Sequence, residues 1–393
     1  MEWLFFLLPI AALSGWLLAR QHYKQAYSPP SKTDVSPDYF QGLNYLLNEQ
    51  PDKAIEVFVR LLEVNSDTVE THLALASLFR RRGEIDRAIR IHQNLIARPT
   101  LTSIQRKKAL VELGLDYMNA GVLDRAEQLY LKMIQKPSPP TEAFQQLLRI
   151  YQQEKAWEKA IDMAKKVQSH SNQNMGEIIA QFYCELVEQE LRTSKTTVPM
   201  LLKSAHAHDY KCVRATLLEA KWYMRTGDFR KASKALLRIE QQNHHYIQEA
   251  LPLLLECYQQ MNNLKDFNNW LQTLLVKYPN MTCVRLMLTQ LIQIQYGNQV
   301  AQDYLYQQLQ QHPSVEGLHK LLSLGAQSNP MLVPLIKGFT DTMVRRGNRY
   351  ACQHCGFAGK NMHWHCPSCK RWASVRPIEI HLSSLETLLD VSS

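Results

Sequence analysis

An alanine recurs at spacings of 34, 38 and 34 residues, at Ala54, Ala88, Ala126 and Ala160, and this period constrains the fold more than any other feature of the chain. Each alanine opens an amphipathic stretch. Each follows an earlier stretch that carries a small or apolar residue and then an aromatic three or four positions on. Gly42, Tyr45 and Phe58 complete the first copy, and Ala76, Phe79 and Gly83 the second. Leu113-Gly114, Tyr117, Gly121 and Tyr130 form the third, and Leu147, Tyr151 and Trp157 the fourth. A helix-turn-helix unit needs these residue types. The small side chain lets the second helix approach, and the aromatic fills the gap between successive pairs. One pair cannot bury both of its faces, so such units stack.

A period near 34 residues is that of tetratricopeptide repeats. The register weakens around Thr193 to Met200, where a degenerate fifth copy is expected. A sixth copy carries Ala220, Tyr223, Gly227, Phe229 and Ala232. A seventh runs through Tyr258, Phe267 and Leu271 to Pro279, and an eighth, with Ala301 and Leu305, ends at Pro313. The expected fold class is all-α: a tetratricopeptide-repeat superhelix of about eight repeats over residues 37–315, followed by connecting helices over 316–347. Arrays of this kind bind peptides or protein surfaces far more often than they catalyse. The repeats hold no H-E-x-x-H, no G-x-S-x-G, no phosphate-binding loop and no dinucleotide fingerprint. Arg80-Arg81-Arg82 reads as a charged helix end on the C-terminal dipole, and His244-His245 as a solvated loop.

Past the repeats, Cys352-x2-Cys355 and Cys366-x2-Cys369 stand ten residues apart. Each C-x2-C hairpin aims two sulfurs at one point, and two hairpins complete a tetrahedron around a soft or borderline metal. Gly356 follows Cys355 where a tight turn is needed, and Pro367 stiffens the second pair. Lys360, Lys370, Arg371 and Arg376 offset the charge of a four-thiolate site. His354, His363 and His365 are alternative ligands, but the symmetric pairs favour all-sulfur coordination. The domain is expected over 348–380, with a tail at 381–393. Sulfur tetrahedra suit zinc and iron alike. Cys184, Cys212, Cys257 and Cys283 show no pairing in sequence and read as small buried hydrophobes.

The other end holds an uncharged apolar run, Trp3 to Ala19, within a segment 1–20 that reads as a transmembrane helix. Arg20, His22 and Lys24 follow it and only Glu2 precedes it. That bias places the body and C-terminus in the cytoplasm, and its order is the reverse of a cleaved signal peptide. Residues 21–36, with Pro29 and Pro30, form a linker. A cytoplasmic body keeps thiols reduced, so eight cysteines need not be a disulfide framework. The formal net charge of +9 is spread along the helices, which fits weak attraction to an anionic leaflet rather than nucleic-acid binding.

The order of anchor, repeats and cysteine knuckle resembles the lipopolysaccharide assembly protein B family of Gram-negative bacteria. The stretches HLALASLFRRRGEIDRAIRIHQNLI, QQLLRIYQ, QFYCELVEQ, CQHCGF and WHCPSC carry the resemblance, which covers essentially the whole chain. It implies a single-pass inner-membrane adaptor without enzymatic activity. Such an adaptor brings the lipid A deacetylase LpxC to the membrane-bound AAA protease FtsH and meets other inner-membrane lipopolysaccharide assembly or sensing proteins. It also implies one rubredoxin-type iron, carried over to Cys352, Cys355, Cys366 and Cys369, with zinc the other candidate. Lys370 departs from the glycine of full-length rubredoxins, which favours a structural or docking metal over electron transfer. The metal module is expected to complete one end of a client-binding groove, orienting a helix near Pro330 to Arg346 against the final repeats. Two readings from other classes stand beside the adaptor. One is a membrane-tethered redox protein passing electrons through the iron. The other is a nucleic-acid-binding ribbon with Trp364 and Trp372 as stacking residues. The sequence leaves both a monomer and a homodimer open.

Overall fold

The computed structural model describes residues 37–48, 69–171, 173–193, 197–325 and 347–378, with a few isolated positions such as Trp16, Ala54 and Val57. The apolar run apart from Trp16, the linker, Phe58 of the first copy, most of the segment 326–346 and the tail beyond 378 lie outside the described residues. Among the described residues no helix is long and apolar enough to cross a membrane. The chain divides into two compact units, 1–146 and 147–393.

The first unit contains α1 (Pro37–Leu47), α2 (Val69–Arg81), α3 (Ile85–Ala97), α4 (Ser103–Asn119) and α5 (Leu123–Ile134), and the boundary falls inside α6 (Thr141–Gln153). Here α2 packs on α3, α3 on α4, and α4 on α5. Thr102 starts α4 with a reciprocal cap, its side chain accepting from the Gln105 N–H while Gln105 reaches back. Gly114 shows why a small residue recurs on first helices. A Cβ there would fall inside the Tyr130 ring, whose hydroxyl donates to the Val111 carbonyl at 2.9 Å. The arginine run divides. Arg80 turns inward to Glu112 at 2.6 Å and Asp116 at 2.7 Å, and Asp116 also holds His92 at 2.5 Å. Arg82 pairs with Glu84 at the surface. Arg80 thus lies in the last turn of α2, as a charged helix end should, and in addition ties α2 to α4.

The second unit continues with α7 (Trp157–Ser171), α8 (Gly176–Thr193), α9 (Val198–His208), α10 (Val213–Arg225), α11 (Phe229–Leu237), the short α12 (Ile239–Asn243) and α13 (Ile247–Gln260). Then come α14 (Leu264–Lys277), α15 (Thr282–Tyr296), α16 (Asn298–Gln311) and α17 (Val315–Ser323). Successive helices pair as hairpins, α8 with α9, α10 with α11, and α15 with α16. Three strands follow, β1 (Tyr350–Cys352), β2 (Ala358–Gly359) and β3 (Val375–Pro377), in the antiparallel order β2-β1-β3. An all-α description omits this sheet, because strands of two or three residues leave no alternating pattern to read.

One turn recurs through the helices of both units. The carbonyl of the repeat aromatic accepts the N–H five residues on: Glu84 to Phe79 at 2.8 Å, Val122 to Tyr117 at 3.0 Å, Ala156 to Tyr151 at 2.9 Å, Asp228 to Tyr223 at 2.9 Å, and Asn263 to Tyr258 at 3.0 Å. This is the helix-ending geometry that needs one left-handed residue. Gly83, Gly121 and Gly227 supply it at φ +86°, +76° and +81°, while Lys155 and Asn262 adopt it at +57° and +52°. Four residues after each such closing donor stands an alanine or Phe267. Ala88, Ala126, Ala160, Ala232 and Phe267 are all fully buried.

Candidate metal centre

The two cysteine pairs are built on one backbone plan repeated fourteen residues later. The Cys352 N–H donates to the Phe357 carbonyl at 2.7 Å, and the Cys366 N–H to the Arg371 carbonyl at 2.9 Å. The Gly356 N–H closes back on the Cys352 carbonyl at 3.0 Å, and the Lys370 N–H on that of Cys366, also at 3.0 Å. Gly356 and Lys370 both adopt the left-handed region, φ +73° and +56°. The lysine that departs from the glycine of rubredoxins thus occupies the same conformation, with a Cβ penalty of about 1 kcal/mol.

These turns bring the four sulfurs of Cys352, Cys355, Cys366 and Cys369 within 4.8 Å of one another. Cys352 and Cys369 are 3.7 Å apart, and Cys355 and Cys366 are 3.8 Å apart. A tetrahedral ion with metal–sulfur bonds of about 2.3 Å has edges of about 3.8 Å, so the donor set fits a four-thiolate ion. Cys352 and Cys366 are buried, Cys369 is half-buried and Cys355 is exposed, leaving one edge open to solvent. Burial raises the Cys352 thiol, but the Ser374 hydroxyl and the Cys355 and His354 backbones outweigh it and hold it at about 6. Burial and the neighbouring sulfurs push Cys369 up to about 11. Four crowded sulfurs cannot all ionise without a cation between them. The histidines stay out of the cluster. His365 stacks on Trp372 at 4.5 Å and bonds the Lys370 carbonyl at 2.9 Å, and His363 lies edge-on to Phe357.

The knuckle reaches helices far from it in sequence. Trp372 meets Trp157 of α7 at 6.1 Å and Phe182 of α8 at 5.6 Å, edge to face. Trp364 stacks on Tyr246 at 5.7 Å, beside the Arg214 guanidinium of α10 at 5.9 Å. The buried Tyr246 hydroxyl donates to the Val375 carbonyl at 2.8 Å, and the Tyr350 hydroxyl to Glu249 of α13 at 2.7 Å. Arg214 is itself held by Glu185 at 2.7 Å and Glu188 at 2.9 Å. The expected support, a helix near Pro330 to Arg346, lies largely outside the described residues, whereas these contacts fall on α7, α8, α10, α13 and the segment just before α13. Both tryptophans are committed to this packing, which removes them as base-stacking residues. Trp157 reads from sequence only as a repeat position, and Phe182, Arg214, Tyr246 and Glu249 escape sequence reading because each looks like an ordinary helix residue. The one signal was two tryptophans in a module too small to bury them.

The remaining cysteines are separate from the centre. Cys184 and Cys212 are buried with their sulfurs 4.0 Å apart, an adjacency hidden by 28 residues of sequence. Burial pushes Cys257 up to about 11.

Residues 350–377 match the rubredoxin metal binding domain family, and residues 71–102 the tetratricopeptide repeat family. Lipopolysaccharide assembly protein B of Escherichia coli strain K12 is 37% identical over 386 residues, covering 96% of this chain and 98% of that protein. Its namesake in Haemophilus influenzae is 36% identical over 391 residues, again covering 96% of this chain and 98% of that one. The chain belongs to the lipopolysaccharide assembly protein B family. The metal-domain match runs from the first residue of β1 to the last of β3, so it encloses all four cysteines and both tryptophans. A tetratricopeptide repeat protein from Parabacteroides merdae superposes with a TM-score of 0.32 at 12% identity, covering 70% of this chain and 98% of that protein. So low a score adds nothing to the assignment.

Proposed function

We propose that the protein is an inner-membrane adaptor that regulates lipopolysaccharide synthesis by presenting the deacetylase LpxC to the protease FtsH. The observation that carries this reading is identity of 36–37% over 96% of the chain to proteins named for lipopolysaccharide assembly. Residues 3–19 anchor the chain once, with the body in the cytoplasm, as the basic residues after the run favour. Confinement to the plane of the protease raises effective concentration without new contacts. The helical repeats bind the client, and the adaptor works by binding rather than by catalysis.

Cys352, Cys355, Cys366 and Cys369 hold one ion, iron by the family resemblance, with zinc also suited to four sulfurs. When bound, the ion supplies a cross-link between the two hairpins. Trp364, Trp372 and Tyr350 then hold the knuckle on helices α7 to α13. A structural role suits a centre whose flanking aromatics are all engaged in packing.

Deleting residues 1–20 tests the anchor. The truncated protein is expected to fold and to bind LpxC but to leave its cellular level high in a strain lacking the full-length protein. Normal LpxC turnover by that truncation would contradict the reading.

A further inference from the structure

Between the knuckle and the loop joining α14 to α15 lies a cavity of about 550 Å3, the size of a small-ligand site. Arg376 of β3, Lys277, His244 and His245 line it, and among the described residues of its lining none is acidic. Lys277 is paired at 2.6 Å with Glu240, which lies outside the lining. Arg376 has no ion pair among the described residues. The two imidazoles lie 4.2 Å apart, with His244 stacked on Tyr278 at 4.9 Å. Burial first, then His244 and Arg376, hold the His245 imidazole below its ordinary value. Helix α15 begins at this cavity with no side-chain cap and no acidic residue in its first turn, so its dipole adds to the same sign. Met281, Pro377 and Ile378 give the cavity an apolar wall.

Among the described lining residues Arg376 brings a guanidinium with no ion pair beside Lys277 and two imidazole donors, and no carboxylate stands with them, so an anion would be drawn to this wall. We propose that this cavity binds a phosphate group carried on a small or apolar body. Phosphate suits the site better than a carboxylate. Its charge approaches −2 at neutral pH, its oxygens outnumber a carboxylate's, and a guanidinium can grip two of them in parallel. The four groups come from β3, from the end of α14 and from the segment before α13. The site therefore exists only while the knuckle is docked, and an occupant would brace the knuckle against the helices. The inference goes beyond the adaptor reading, and because its readout is binding, either can fail without the other.

Calorimetry on the metal-loaded, full-length protein in detergent tests it. The probes are inorganic phosphate, inorganic pyrophosphate and short-chain phosphatidic acid, with short-chain phosphatidylcholine and an oligoglutamate peptide for comparison. Saturable binding of a phosphate probe is expected, weakened about tenfold or more by R376Q, the loss of a charge-assisted pair. H245Q, which leaves β3 untouched, is expected to weaken it several-fold. K265Q, an exposed charge at the far end of α14 from Lys277, is expected to change nothing, and the metal content of each variant is measured alongside binding. Tighter binding of the lipid than of pyrophosphate points to a headgroup, and the reverse to a soluble phosphate. Absence of saturable binding at millimolar phosphate, equal weakening by K265Q, or tighter binding of the oligoglutamate would overturn the proposal.

Discussion

In the helical repeats a turn such as Phe79 to Glu84 closes on Gly83 and is backed by Ala76, Leu78 and Ala88, with more apolar side chains on either side. In the knuckle the equivalent left-handed residues, Gly356 and Lys370, close turns around a small cluster whose buried members among the described residues are Cys352, Cys366 and Val375. The repeats spread their stability over neighbour-to-neighbour burial, so no single contact decides whether they stand. A module of about thirty residues cannot build such a core and needs staples. Here the staples are four sulfurs on one side and an aromatic dock on the other. Local damage should therefore stay local in the repeats but abolish the knuckle.

The largest effect expected from this contrast comes from the sulfurs. A structural ion in a small domain contributes on the order of 10 kcal/mol to its folding. Metal removal, or C366S with C369S, should expose Trp364 and Trp372 to quenchers and open the region to protease. The far-ultraviolet helical signal should barely change. Equal loss of helix would show that the two regions are not separable in this way.

Next comes the aromatic dock. Trp372→Ala removes a ring held by Trp157 and Phe182 and should cost about 3–4 kcal/mol of docking. Protease sensitivity of the knuckle should rise while metal content is retained. Loss of metal in this variant would mean that the dock, not the ion, organises the hairpins.

A smaller effect follows from pH. Burial raises the Tyr246 hydroxyl from its ordinary 10 to about 12. The neutral form is the one that donates to the Val375 carbonyl, so the native state holds its proton longer than the unfolded one. Docking stability should be complete below about pH 10 and fall by roughly 2–3 kcal/mol as pH rises to about 12. Tyr246→Phe should flatten that part of the profile. An unchanged slope would assign it to another group.

How much of this was legible in the sequence follows the same division. The repeat register could be read because its aromatic, its left-handed turn residue and its buried alanine lie within ten residues of one another, as at Phe79, Gly83 and Ala88. Turns at Lys155 and Asn262 were harder, since neither residue announces a positive φ. The four sulfurs were legible because spacing alone aims them. The dock was not, for Tyr246 and Val375 are 129 residues apart and neither belongs to a pattern. His244 and His245 read as a solvated loop, and His245 is exposed; what the sequence could not show is the wall beside them, Arg376 and Pro377, which arrives only with the docked knuckle.

The smallest expected effect is a gain. Lys370→Gly relieves a left-handed residue and should stabilise the knuckle by about 1 kcal/mol, whereas Gly83→Ala should cost α2–α3 about the same. Equilibrium unfolding of each region, followed by its own tryptophans or by helical signal, would show the opposite signs. Matching signs would mean the two turns are not equivalent.

X-ray absorption at the metal edge of the purified full-length protein, taken with its metal content, is the most direct test of the centre. One iron or zinc per chain, ringed by four sulfurs at about 2.3 Å, is the expected result. A chain free of metal, or an ion bound chiefly through nitrogen or oxygen, would contradict it.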